Sequence, residues 1–156
     1  MENSLLIQKF YTAFANSNAE EMASCYHKEV LFEDPVFGKL NQKEVTSMWK
    51  MLLERSKGNL KIEFSDVIAN EKSGTANWIA TYIFSQTNRK VVNNIAAKFE
   101  FEDGLIIKHT DNFDLYKWTK QALGWKGYLL GWTNFTQNKV LQNAKKSLQI
   151  YLQKRA

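Results

Sequence analysis

"LFEDPVFGKL", residues 31–40, holds the only proline of the chain and sets an acid directly before it. Residues 29–34 alternate with the period of a strand, which puts Val30, Phe32 and Asp34 on one face and Leu31 and Glu33 on the other. Pro35 has no N–H to give a ladder and holds Asp34 extended, so the strand stops at the acid. Asp34 therefore ends a strand on the side of its phenylalanine. Two readings follow: the carboxylate caps the backbone of the next turn, or it faces an apolar space that disfavours its charged form, as a general base or acid requires.

Upstream of this strand the apolar spacing is helical. The first helix starts at Asn3 or Ser4 as cap and carries Leu6, Ile7, Phe10, Tyr11 and Phe14. "NAEE" then sets Asn18 three residues before Glu21, the pattern of a capping box, ahead of a short helix with Met22, Cys25 and Tyr26. Downstream, "VFGKLNQ" reads as a loop, and residues 42–55 return to helical spacing through Val45, Met48, Trp49, Leu52 and Leu53.

Four strands follow, "LKIEFSDVIAN", "TANWIATYIFS", "KVVNNIAAKFEF" and "LIIKHTDNFD", separated by the turn signals "EKSG", "QTNR" and "EDG". Helices first and an antiparallel meander after them predict an α+β fold, with the helices on one face of a curled, mainly antiparallel sheet. From Leu115 the period is helical again, through Trp118, Ala122 and Leu123 to a stop at Gly124. "GWKGYLLGW" reads as an apolar linker, and a last helix over about 134–153 carries the stripe Val140, Leu141, Ala144, Leu148, Tyr151 and Leu152. These readings divide the chain into a domain over 1–123 and a basic helical extension over 124–156, packed on that domain or on a dimer mate.

Splitting each strand by parity exposes polar groups among apolar ones, where each needs a partner or costs free energy. The odd face of "LIIKHTDNFD" reads Leu105, Ile107, His109, Asp111, Phe113, and the even face, with Lys108, Thr110 and Asn112, reads as exposed. His109 and Asp111 point inward about 7 Å apart. Asn93 stands among Val91, Ile95, Ala97, Phe99 and Phe101, and Tyr82 shares a face with Trp78, Ala80 and Phe84. Each has a plainer reading as hydrogen-bonded core, but their convergence with Asp34 and Tyr11 predicts a ligand pocket. Phe14, Phe32, Phe37, Trp49, Trp78 and Phe113 supply its apolar walls.

Composition narrows the rest. One domain suffices for 156 residues, and 44% hydrophobic residues with a single proline exclude disorder. One cysteine rules out an internal disulfide and fits a reducing, cytoplasmic compartment, and no stretch reads as a secretory leader or membrane span. Net charge is +5, yet residues 115–156 hold eight Lys/Arg and no acid. That tail reads either as a surface for nucleic acid or anionic lipid or as a solvated helix face. Lacking any recognisable nucleic-acid motif, it is expected to bind no nucleic acid and to insert in no membrane. No phosphate loop, zinc pattern or nucleophile elbow is present, and His109 with Asp111 lacks a clear third ligand, so neither cofactor nor metal is expected.

Laid out in this order, the chain resembles the cone-shaped superfamily of ketosteroid isomerases, nuclear transport factor-like proteins, limonene epoxide hydrolase and SnoaL-type polyketide cyclases. "FYTAFANSNAEEMASCYHKEVLFEDPVFGKL" and "FEDGLIIKHTDNFDLYKW" carry the resemblance, which covers about residues 4–123 and is nearest the SnoaL-like branch. It implies a cone with the N-terminal helices on its concave face, an apolar small molecule as ligand, and a homodimer. It also implies a sharper role for Asp34, since ketosteroid isomerases carry "EDP" here with the aspartate as proton-moving base; that enzyme is a standard worked case of a tyrosine and a protonated aspartic acid as oxyanion hole. Those two donor positions fall on Phe10 and near Ala97. The epoxide hydrolase has an aspartate where Asp111 stands, but its third-strand Arg and Asp correspond to Ala80 and Tyr82. The expectation is acid–base proton transfer without cofactor, as an isomerase or cyclase, with Asp34 as base and His109, oriented by Asp111, as acid or oxyanion donor. The alternative is a binding protein or dimeric scaffold of the same fold that does no chemistry.

Overall fold

The computed structural model describes residues 2–155, with side chains to Lys154. Two helices, α1 (Glu2–Ala15) and α2 (Ala19–Ser24), precede β1 (Tyr26–Asp34) and the short β2 (Gly38–Leu40). Then α3 (Gln42–Ser56) leads into β3 (Lys61–Ala69), β4 (Ser73–Phe84), β5 (Arg89–Glu102) and β6 (Leu105–Asn112), followed by α4 (Leu115–Leu123), α5 (Trp125–Leu130) and α6 (Asn134–Arg155). The strands form one open sheet in the order β2-β1-β6-β5-β4-β3. Every pairing is antiparallel except β1 beside β6, so this α+β fold has a mixed sheet.

Local chemistry explains the turns. Asp103 and Gly104 both have positive φ, 54° and 74°, and join Glu102 to its partner Leu105 through two residues, the geometry that matches strand twist. Asn18 caps α2 by accepting from the Glu21 N–H, and Asn41 with Glu44 closes a reciprocal capping box on α3. Gly124, at φ 69°, ends α4 where the sequence places the stop.

Four details differ from the sequence reading. Asn3 lies inside α1, where its amide donates to the carbonyls of Asn70 and Glu71 in the β3–β4 turn. The strand β1 begins at Tyr26, so Tyr26 belongs to the sheet and not to α2. The stretch read as a loop folds back as β2, pairing Asp34 with Gly38 and Phe32 with Leu40. Ile107 is left unpaired where Glu100 faces Lys108 and Phe101 faces Ile106; this bulge turns Ile106 into the core against its parity.

The core lies between one sheet face and the helices. Ile7, Phe10, Tyr11 and Phe14 of α1 meet Met48, Trp49 and Met51 of α3 over Phe32, Trp78 and Phe99. Beyond the end of β6 the edge of β5 lacks a strand, and the Gln121 amide replaces one, accepting from Val92 N at 2.7 Å and donating to Val92 O at 3.1 Å. The C-terminal helix packs on α3 of the same chain: Leu148 is buried and the Tyr151 hydroxyl donates to Glu54 at 2.9 Å. No helix among the described residues is long and apolar enough to cross a membrane.

Candidate functional site

A cavity of about 930 Å³ lies between the sheet, α3, α4 and α6, within the range of small-molecule sites. Trp78, Ala80, Tyr82, Asn93, Ile95 and Asp111 face it from β4, β5 and β6, and Phe14, Trp49 and Phe113 add rings. Exposed residues in its lining, among them Lys57, Gln86, Lys126, Phe135 and Lys139, mark its mouth.

Asp34 answers both readings of its position. Its Oδ1 accepts from Val36 N at 2.9 Å and Phe37 N at 2.6 Å, which fixes the turn at Pro35. Among the described residues Oδ2 has no protein partner, and the residue lines the cavity. Protein surrounds the carboxyl, and this desolvation pushes its pKa up to about 7; Asp111 and Glu33 add to the rise, and the two backbone donors oppose it. Near neutrality the group is poised to take or give a proton.

Tyr82 feels the charge of Asp34. Its phenol oxygen accepts from Trp118 Nε1 at 2.7 Å, leaving its own proton without a protein acceptor among the described residues. Burial raises its pKa to about 12, so it stays an O–H donor at neutral pH. Asn93, buried and facing the cavity, makes no side-chain hydrogen bond among the described residues and adds a second free donor.

His109 points inward, as its parity implies, but does not reach the cavity. It is fully buried and outside the cavity lining, boxed by Phe10, Phe32, Trp49 and Phe99. Trp49 Nε1 donates to the Tyr26 hydroxyl at 2.9 Å, which leaves the tyrosine proton for His109 Nδ1 at 2.8 Å. With Nδ1 as acceptor the ring proton sits on Nε2 and goes to Asp111 Oδ1 at 3.0 Å; Trp78 Nε1 donates to the same oxygen at 3.3 Å. The expected order is thereby reversed: His109 orients Asp111, and only Asp111 meets the cavity. The neutral donors that face the cavity are Tyr82 and Asn93, not His109.

Two expected wall residues also lie behind the cavity. Phe32 packs edge-on to Trp49 and His109, and Tyr11 is covered by Phe64, Trp78 and Phe99, its buried hydroxyl without a hydrogen-bond partner among the described residues. Parity finds the correct side of the sheet but not the depth. Phe14, Phe37, Trp49, Trp78 and Phe113 do line the cavity. The sequence reading missed Tyr26, Trp118 and the wall made by Val140 and Ala144 of α6; the last had a signal, since the stripe of that helix needed a surface to cover.

One His/acid group lies outside this site. His27 Nε2 stands 3.6 Å from Glu102 and 3.5 Å from Asp103. Because His27 Nδ1 accepts from Glu29 N, Nε2 carries the ring proton and turns it toward the two carboxylates. The group clips the start of β1 to the β5–β6 turn, and its wiring does not suit a metal ligand.

Residues 7–109 match the model of the SnoaL-like domain. Among solved structures, a candidate polyketide cyclase from Xanthomonas campestris pv. campestris superposes with a TM-score of 0.62 at 19% identity, covering 77% of this chain and 96% of that one. An epoxide hydrolase of M. tuberculosis, of the LEH-like type, gives 0.61 at 20% identity, covering 82% and 92%. TerC, co-crystallised with polyporic acid, gives 0.61 at 15% identity, covering 73% and 92%. No curated protein matches the chain. These likenesses carry the fold.

Proposed function

The chain belongs to the SnoaL-like domain family, and we propose that it binds an apolar carbonyl compound in the cavity and shifts a proton on it by acid–base catalysis, without a cofactor. The observation that carries this reading is Asp34: a carboxyl with a pKa near 7, one oxygen tied to the turn, in the lining of a cavity shared with the free phenol proton of Tyr82.

In this reading Oδ2 of Asp34 removes the proton from the carbon beside the carbonyl. The electron pair moves into an enolate whose oxygen accepts the Tyr82 O–H, with the Asn93 amide alongside. The protonated Asp34 then returns its proton to another carbon, giving an isomer, or the enolate carbon closes on a second carbonyl of the same molecule, giving a ring whose new alkoxide takes the proton back from Asp34. Asp111, held by His109 and Trp78, orients a polar end of the ligand. Solved structures named as a candidate polyketide cyclase and an epoxide hydrolase support small-molecule chemistry on this fold, and the resemblance to limonene epoxide hydrolase sets Ala80 and Tyr82 where that enzyme has Arg and Asp, which favours proton transfer over epoxide opening.

The reading includes a homodimer across the outward face of β4 and β5, where Ile79, Ile83 and Val92 leave apolar surface, and a cytoplasmic setting, in keeping with a free, buried Cys25. Thermal stability of the wild type and Asp34→Asn against ketones, enones, epoxides and fatty acids tests the site. A ligand at ~100 times its dissociation constant stabilises the folded state by ~2.7 kcal/mol. One carbonyl class should raise the wild-type midpoint, with an altered response in Asp34→Asn. No response in either protein would contradict the proposal.

A further inference from the structure

We propose that α5 and the first turn of α6 form a docking surface for an anionic lipid bilayer, set at the mouth of the cavity. This goes beyond the reading above and stands whatever chemistry the cavity performs.

The glycines of α5 decide which way its bulk faces. Gly127 and Gly131 lie against Thr119 of α4 so closely that a Cβ on either would fall on the Thr119 carbonyl or hydroxyl. The helix packs on its glycine side, and Gly127 is its only buried residue. Trp125, Tyr128, Leu129 and Leu130 are therefore turned to solvent, continued by Trp132 and Phe135; Trp125, Trp132 and Phe135 are 70%, 66% and 77% exposed. Of the other large exposed apolar residues, Ile83 and Val92 stand on neighbouring strands of the sheet's outer face, while Leu5, Leu31 and Ile68 belong to three different elements. Six in one short ribbon make a patch of the kind that marks an interaction site.

Charge selects the partner. Residues 115–156 carry eight Lys/Arg and no acid. Lys120 lies over the Tyr116 and Tyr128 rings, 4.5 and 5.9 Å from their centroids, and Lys126 lies 5.9 Å from that of Trp125. Rings and leucines interleaved with lysines match the boundary between acyl chains and anionic headgroups. A second copy would bring one basic face against another. Nucleic acid would engage the lysines and leave Leu129 and Leu130 in water. Leu130, Phe135, Lys126 and Lys139 also line the cavity, so the surface that meets lipid is continuous with the entrance. An apolar ligand dissolved in a bilayer can then enter without crossing water. This replaces the expectation of a solvated tail: the contact is peripheral and spans nothing.

The test is co-sedimentation of the full chain with phosphatidylcholine vesicles, with and without phosphatidylserine, at low and high salt. The chain should pellet with the mixed vesicles only and be released by salt. Trp125→Ser/Trp132→Ser, two exposed residues outside the cavity lining, should lose most of that binding and keep the wild-type thermal midpoint. Failure to pellet with either vesicle at low salt would overturn the proposal, as would binding indifferent to the double variant. So would an assembly of the chain with itself or with duplex DNA, formed without lipid and abolished by the double variant. Ligand-induced stabilisation of the lipid-free protein is read separately, so failure here leaves the cavity reading to its own assay.

Discussion

Nε2 of His109 donates to Oδ1 of Asp111 at 3.0 Å, from a ring with no surface of its own in the cavity. The histidine closes a chain from Trp49 through Tyr26 to Asp111, and every proton in it has an acceptor. Replacing His109 by Phe keeps the ring's bulk but leaves the Tyr26 O–H unpaired and removes a donor from Asp111. Unfolding in urea should show a loss of about 3 kcal/mol. A variant as stable as the wild type would contradict this wiring.

Asp34 makes stability depend on pH with a definite sign. The folded state holds its proton up to about pH 7, whereas an unfolded aspartate releases it near its ordinary value of 3.8. Between these values the folded state binds more protons, so this group's stabilisation, full at low pH, is lost as pH rises through the window. Asp34→Asn keeps an acceptor for Val36 and Phe37 but cannot titrate. Relative to the wild type, it should gain stability between about pH 4 and about pH 8, read as the difference in urea midpoints.

Tyr82→Phe removes the phenol proton that faces the cavity. Turnover on a responsive carbonyl substrate should fall by about 10²–10³ with little change in KM, the mark of a donor needed when charge develops on oxygen. Trp118→Phe leaves that proton in place and should cost far less.

Gly127→Ala places a methyl group on the Thr119 carbonyl. Separation of α5 from α4 should destabilise the protein by about 2 kcal/mol in thermal unfolding. The same change at the open Gly58 would be resisted only by its positive φ of 83°.

The proposed homodimer is checked by sedimentation. Ile79→Lys on the outward face of β4 should shift the protein to monomers and leave its fold intact. A wild type that already sediments as a monomer would remove that part of the account.

Much of this architecture is legible in the sequence because helix and strand periods alternate cleanly around single stops such as Pro35 and Gly124. Parity also places Asn93, His109 and Asp111 on the inner face, since β5 and β6 keep strict alternation there. It fails where geometry is not local. Tyr26 continues the apolar spacing of α2 and yet opens β1, and a bulge reverses Ile106. Whether an inward residue reaches the cavity depends on what lies over it: Asp111 does, while Phe32 and His109 are covered by rings from α1 and α3. The wall supplied by Val140 and Ala144 depends on how α6 returns to α3, which no period encodes.

The most direct test of the central claim is exchange of solvent deuterium into the carbon beside the carbonyl of whichever apolar ketone stabilises the protein, followed by proton NMR. The account predicts exchange by the wild type that rises as pH passes through about 7 and is abolished in Asp34→Asn, which still binds the ketone. Equal exchange by both proteins, or none by the wild type while the ketone is bound, would contradict it.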